Sequence, residues 1–338
     1  MEAKASTQSA EQTTPGRHCP LSYRYTPQAL ASCRPLHADT LYVVGGLYGN
    51  GAALDEIEAM ASLETDARVR LVFNGDFNWF NVDPAEFESI NTRVLTHLAI
   101  KGNVEAELGD PSSAGCGCNY PDFTDNATVQ RSNRIMERLA RTSADFPAIT
   151  RRLATLPRFL VATVGNRRVG LVHGDLHSLA GWGFDQSNLP ADAETRDGRA
   201  LIDHFRRARL DVVASTHTCL PCAQDYPVDG HHYAVINNGS AGMPNFRDDA
   251  RGLLTRISVF SSPIRSLYGM RIGGIHVDAV PIPYDGASWK ARFHSQWPEG
   301  SPARASYDER ISRGPHYVIE SAARGGFSSS GQVKRTLA

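Results

Sequence analysis

Lysine is almost missing from this 338-residue chain: it occurs only at Lys4, Lys101, Lys290 and Lys334, so nearly every positive charge is an arginine. Net charge is missing too. With 35 Lys and Arg against 36 Asp and Glu, the formal charge is −1. That excludes a globally basic surface of the kind that wraps duplex nucleic acid, and leaves only a local patch open. No run approaches the ~18 uninterrupted apolar residues of a membrane helix. The opening stretch, MEAKASTQSAEQTTPGRHCP, lacks the apolar core of a secretory signal. The expectation is a cytoplasmic globular protein with no membrane partner. At 41% hydrophobic residues it can bury one large core, or a core with a small appendage.

Cysteine is sparse: Cys19, Cys33, Cys116, Cys118, Cys219 and Cys222. Without an export signal, free thiols are expected rather than a disulfide framework. The Cys116-Gly-Cys118 and Cys219-Leu-Pro-Cys222 pairs raise a zinc or redox site. Against it, CxC is not the usual knuckle spacing and nothing in the sequence brings the two pairs together. Loop and core thiols are the plainer reading.

Residues 1 to about 38 are Ser/Thr/Gln/Pro-rich and then irregular, and are expected to form a flexible extension. From Thr40 the pattern becomes β-α-β-α-β. Thr40–Val44 and Arg68–Phe73 are β-branched apolar runs, helical spacing joins Ala53 to Met60 and Phe87 to Leu98, and Leu98–Ile100 starts a third strand. A Cys-containing loop from 109 to 125 precedes helices around 131–140 and 147–156. Arg158–Val164 and Arg167–His173 read as strands joined by a Gly165-Asn166 turn. A helix at 200–208 and strands at 210–214 and 233–236 follow. The expected division is a main domain over 39–285 and a C-terminal extension over 286–338, helical near Ser306–Ser312, with a disordered tail.

Chemistry-bearing residues sit directly after the strands: Tyr48 and Asn50, Asp76, Asn103, His173, and His217 with Cys219. In layered α/β folds strand C-terminal ends are where ligands bind. A carboxylate, an amide oxygen and two imidazoles could converge on one ion, and that mixed set suits Zn, Mn or Fe better than Mg or Ca.

The ordered blocks Val44-Gly-Gly-Leu-Tyr-Gly-Asn50, Asn74-Gly-Asp76, Lys101-Gly-Asn-Val-Glu105, Val172-His-Gly174, Thr216-His-Thr-Cys-Leu-Pro221 and Ile236-Asn-Asn-Gly-Ser-Ala-Gly242 resemble the signature of the calcineurin-like metallophosphoesterases, in their smaller bacterial phosphodiesterase-like branch. The resemblance spans roughly residues 40–285. It implies an α/β fold, a two-sheet sandwich with helices on the outer faces, and hydrolysis of small-molecule phosphoesters, as a phosphatase or phosphodiesterase.

The resemblance also implies two metal positions. Asp76, Asn103, His173 and His217 occupy one ligand set intact. The other falls on Gly46, Tyr48, Asp76 and Cys219, where three of the four ligands have changed, so one divalent transition metal is expected. Tyr48 then fills vacated volume and offers its hydroxyl to a substrate oxygen; with Cys219 it could instead ligate a softer or ferric ion, and Cys219 could equally be packing. The backbone near Gly49-Asn50 and an arginine are candidates for charge stabilisation. His177 is a candidate acid for the leaving group, weighed evenly against a structural histidine. The rival reading is an inactive descendant that binds a phosphate-bearing ligand or a protein.

Overall fold

The computed structural model of the chain describes residues 14–64 and 68–329. Among them the strands are β1 (Leu36–Ala38), β2 (Thr40–Val44), β3 (Val69–Phe73), β4 (Leu98–Ala99), β5 (Phe159–Val164), β6 (Arg167–Val172), β7 (Val212–Ser215), β8 (Cys222–Val228), β9 (His231–Asn237), β10 (Gly252–Ser258), β11 (Tyr268–Ile272), β12 (Ile275–Ile282) and β13 (Ser328–Ser329). They form a seven-stranded sheet, ordered β13-β11-β12-β10-β2-β3-β4, and a six-stranded sheet, ordered β1-β5-β6-β7-β9-β8. β2, β3 and β4 run parallel, as do β6, β7 and β9.

The continuous apolar runs arise because both faces of each sheet are covered. Along β2, Leu41 and Val43 point into the layer between the sheets, where Val72, Leu171, Ala214 and Ile236 also lie. Tyr42 and Val44 point the other way, onto Leu54, Ile57, Phe87 and Ile90 of the helices Gly51–Ser62 and Pro84–Val94. The outer face of the six-stranded sheet takes Leu201, Ile202 and Phe205 of helix Arg196–Ala208. Helices therefore cover both outer faces, as the expected sandwich requires. No helix among the described residues is long and apolar enough to cross a membrane.

Two expectations are corrected. Residues 14–38 are packed rather than irregular: Tyr23, Tyr25 and Leu30 are buried beside Leu176 and Phe205, and β1 pairs in parallel with β5. After 285 the described chain is helical in part, as expected, with helices Gly286–Gln296, Pro302–Arg313 and Ile319–Ala322. It is no appendage, however: the first two bury Trp289, Phe293 and Ile311, and the Trp297 between them joins these in the same cluster as Phe80 and Tyr284. The remainder of the expected extension and tail, 1–13 and 330–338, lies outside the described residues.

β10 and β12 escaped the reading of the sequence because polar residues interrupt their apolar pattern. Arg256 of β10 is fully buried, yet its guanidinium meets Glu64 through Nε at 2.6 Å and Nη2 at 2.9 Å, and the Tyr42 hydroxyl donates to the same carboxylate at 2.9 Å. A buried charge survives only with such a partner.

Candidate metal centre

Three turns meet at one edge of the sandwich. Gly75 turns the chain after β3 with φ +100°, and Asp76 follows in the left-handed region at φ +55°. A Cβ on Gly75 would lie 2.5 Å from the Gly102 nitrogen and 2.6 Å from His173 Nδ1, and one on Gly102 would run into Asp76 Oδ1. Glycine at both positions lets the turns after β3, β4 and β6 approach. His217 is drawn in by its own backbone, whose amide donates to the His173 carbonyl at 3.0 Å.

Asp76, His173 and His217 offer ligand atoms that all lie within 4.8 Å of one another, and all three are buried. His173 Nε2 is 3.1 Å from His217 Nδ1, 3.1 Å from Asn103 Oδ1 and 3.4 Å from Asp76 Oδ2. Each of these side chains is held by a backbone partner; for Asp76 it is the Val104 amide, which donates to Oδ1 at 3.2 Å. His173 Nδ1–H donates to the Asn74 carbonyl at 2.8 Å, and His217 Nε2–H donates to the Cys118 carbonyl at 3.1 Å. Those bonds fix the tautomers and leave lone pairs facing inward. The Asn103 amide donates to the Cys116 carbonyl at 2.8 Å, which turns its oxygen towards His173.

When His173 Nε2 carries no proton, four acceptors face one point with no donor among them. Donors at ~2.1 Å on the corners of a tetrahedral ion sit roughly 3.4 Å from one another, close to the separations present. The set of one carboxylate, one amide oxygen and two imidazoles suits a divalent transition ion. The electrostatics agree. Burial disfavours a charge on Asp76, but His173, then His217 and the Val104 amide, lower its pKa. Burial opposes protonation of His173 as well, and the Asp76 carboxylate outweighs it and raises the pKa. Burial, then the His173 charge, pushes His217 down to about 3. One cation is wanted here.

Tyr48 sits beside this group. Backbone bonds from Gly46, Tyr48 and Gly49 to the carbonyls of Gly75, Asp76 and Phe77 zip its turn onto the Asp76 turn. Its hydroxyl is 3.0 Å from Cys219 Sγ. Burial first, then Cys219 and Asp76, hold the phenol protonated, and burial pushes the Cys219 thiol up despite Arg310. A cavity of about 180 Å³ opens over the group, walled by Tyr48, Trp79, Tyr120, Trp182, Tyr307 and Arg310.

Two of the expected catalytic residues are elsewhere. Asn50 is fully buried, its Oδ1 capping helix Gly51–Ser62 at Ala53 N and its Nδ2 bonded to the Gly242 carbonyl. Both ends of that amide are used, and the backbone amides of Gly49 and Asn50, expected to stabilise charge, donate instead to the Phe77 and Leu47 carbonyls. His177 is exposed, because the Asp175 carboxylate accepts the amides of His177, Ser178 and Gly183 and folds the turn tightly. Its Nε2 meets His204 Nδ1 at 3.2 Å beside a separate cavity. The cysteines are free thiols, and among the described residues only the Asp76, His173 and His217 group gathers three metal-ligating side chains. What Cys116 and Cys118 contribute is their carbonyls.

The sequence reading missed the aromatic walls and Arg310. Trp182 packs edge-on to the His217 ring at 5.5 Å between centroids and donates to the Cys118 carbonyl at 3.0 Å. Trp79 Nε1 donates to the Tyr307 hydroxyl at 3.2 Å. These residues come from loops and a C-terminal helix without a shared motif. The one available signal was aromatic crowding close behind the Gly-Asp and His-Gly turns.

No family model matches the chain, and no curated protein matches it. Among solved structures it is similar to a metallophosphoesterase from Sphaerobacter thermophilus, with 16% identity and a TM-score of 0.50. It is similar also to a hypothetical protein from Pyrococcus horikoshii OT3, with 14% identity and a TM-score of 0.52. Each likeness covers 83% of this chain and 100% of the other. At such identities the likeness speaks for the architecture alone. This two-sheet α/β body, helices outside, has the metallophosphoesterase fold.

Proposed function

We propose that the chain is a hydrolase of small-molecule phosphate esters that works with one divalent ion, Zn, Mn or Fe, held by Asp76, Asn103, His173 and His217. The observation that carries this reading is the convergence of these four side chains, each held by a backbone partner, beneath a cavity at one edge of the sandwich. When bound, the ion supplies Lewis acidity, acidifying a water and polarising a phosphoryl oxygen. The chain's own residues do the positioning. The Asn74 and Cys118 carbonyls hold the imidazoles in register. The protonated Tyr48 hydroxyl donates to a substrate oxygen, and Trp182 and Tyr120 close the side of the cavity against water. Phosphoryl transfer rests mainly on such placement and charge. The six free thiols suit a reducing compartment, the cytoplasm.

A second reading, a non-catalytic descendant that binds a phosphate-bearing ligand, is favoured by the occupation of the other ligand positions by Gly46, Tyr48 and Cys219. Metal analysis and turnover of aryl phosphomonoesters and phosphodiesters separate the two. The hydrolase reading expects one metal equivalent and turnover, both lost in His217→Ala. Metal without turnover of any phosphoester leaves the second reading.

A further inference from the structure

Arg310 belongs to helix Pro302–Arg313, beyond every block that carried the resemblance. Its Nη2 donates to the Cys219 carbonyl at 2.7 Å and to Ser240 Oγ at 3.2 Å, and its Nε to the Pro244 carbonyl at 3.2 Å. These partners lie on the turns after β7 and β9, so three bonds fix the head of a long side chain at the cavity wall. All three acceptors are neutral. Among the described residues no carboxylate pairs with Arg310, whereas the fully buried Arg256 has Glu64. A guanidinium that is fixed, uncompensated and facing a cavity is a site for an anion. Nη1 takes no part in the three bonds, and it is the part of the fork left for a ligand.

We propose that Arg310 is the anion-binding residue of this cavity, taking a non-bridging oxygen of a phosphoryl group whose other oxygens face the Asp76, Asn103, His173 and His217 group. Naming the anion a phosphoryl group rests on the function proposed above. The guanidinium supplies the second positive charge of the site from the side where Gly46, Tyr48 and Cys219 leave no ligand set for a second ion. Charge spread over the equatorial oxygens of a transferring phosphoryl group is met from two directions. Because the charge is carried by a planar fork held by two carbonyls and a hydroxyl, lysine is a poor substitute.

The test titrates the full chain, carrying one equivalent of Mn²⁺ or Zn²⁺, with inorganic phosphate by calorimetry, and counts bound metal on the same samples. Arg310→Met should weaken phosphate binding by roughly tenfold or more, with the metal retained, and Arg310→Lys should recover only part of that loss. Guanidinium chloride at low millimolar concentration should restore part of the affinity to Arg310→Ala. Unchanged phosphate affinity in Arg310→Met overturns the proposal. So does an equal loss in all three variants that guanidinium leaves untouched, which marks Arg310 as a clamp on the loops at Cys219 and Ser240. If the Met and Ala variants lose metal and fold together, Arg310→Lys decides: with metal intact it must bind phosphate more weakly than the wild type, and equal affinity refutes the assignment. Phosphate binding that depends on Arg310, in a wild type that turns over no phosphoester, keeps the anion site and removes the hydrolase reading.

Discussion

One oxygen of the Glu105 carboxylate receives the backbone amide of Asp76 at 2.7 Å and that of Gly102 at 3.1 Å. A single buried side chain therefore ties the turn after β3 to the turn after β4, and so sets Asp76 relative to Asn103. Burial, then the Asp76 charge, pushes its carboxyl up to about 7. Its second oxygen faces the Asn78 amides at 3.3 Å. Glu105→Ala should weaken metal binding by about 10–100-fold, as loss of a residue that orients ligands does. Glu105→Gln keeps one acceptor but turns an NH₂ towards donors at Asn78, and should fall between. Competition against a chelator of known affinity measures both, and an Ala variant that holds metal like the wild type contradicts the role.

The positions that the resemblance assigns to a second ligand set are structurally closed. A Cβ on Gly46, which has φ +56°, would lie 2.6 Å from Tyr48 Cζ. Gly46→Asp must displace the Tyr48 ring and adopt a left-handed backbone at a cost of ~1–2 kcal/mol. Wild-type protein should therefore carry one metal equivalent, and Gly46→Asp, Tyr48→His or Cys219→His alone should add none. The triple variant removes the ring and supplies the missing donors together, and should gain a second equivalent. Elemental analysis of the purified proteins reads this directly; two tightly held ions in the wild type would refute it.

Asp278 of β12 lies opposite Arg256 of β10, and burial pushes its carboxyl from 3.8 up to about 6, only partly offset by Arg256. The folded state thus binds this proton more tightly than the unfolded chain. Its contribution favours folding below about pH 4 and is lost as pH rises through 6, leaving a cost of about 3 kcal/mol at neutral pH. Asp278→Asn should be near neutral at pH 4 and stabilising by about 1–3 kcal/mol at pH 7, less whatever Arg256 loses. Urea melts at the two pH values test the sign. Equal shifts at both would mean that the carboxylate is not the source.

His177→Ala should leave metal content unchanged and turnover within about twofold of the wild type, because surface substitutions away from a site do little. His217→Ala, in contrast, should abolish metal retention. A large loss of turnover in the His177 variant alone would return that residue to the mechanism.

Much of the body was legible in the residues. Thr40–Val44 and Val69–Phe73 declare themselves because strands covered on both faces need unbroken apolar runs. The short Gly-Asp, Gly-Asn and His-Gly turns announce that backbone must approach closely where Asp76, Asn103 and His173 follow. What stayed hidden depends on partners distant in sequence. Arg256 reads as a solvated charge until Glu64 is seen beside it. Arg310 reads as one arginine among many until the Cys219 carbonyl fixes it. Trp289, Phe293 and Trp297 recur every four residues, a helical signal obscured by the Arg, Ser and Gly around it. Asn50 misled for the opposite reason: its turn follows a strand as a site residue would, yet its backbone amide is spent on Leu47 and its side chain on capping a helix.

Asp76 and Asn103 hang from the seven-stranded sheet, and His173 and His217 from the six-stranded one. An ion gripped by all four would act as a rivet between the two halves of the sandwich. Occupancy and folding then share one equilibrium: free ion at a hundred times its dissociation constant adds ~2.7 kcal/mol to the native state. Starvation for the ion would withdraw that rivet, and the first casualty would be the abundance of folded chain, as proteases met the opened form.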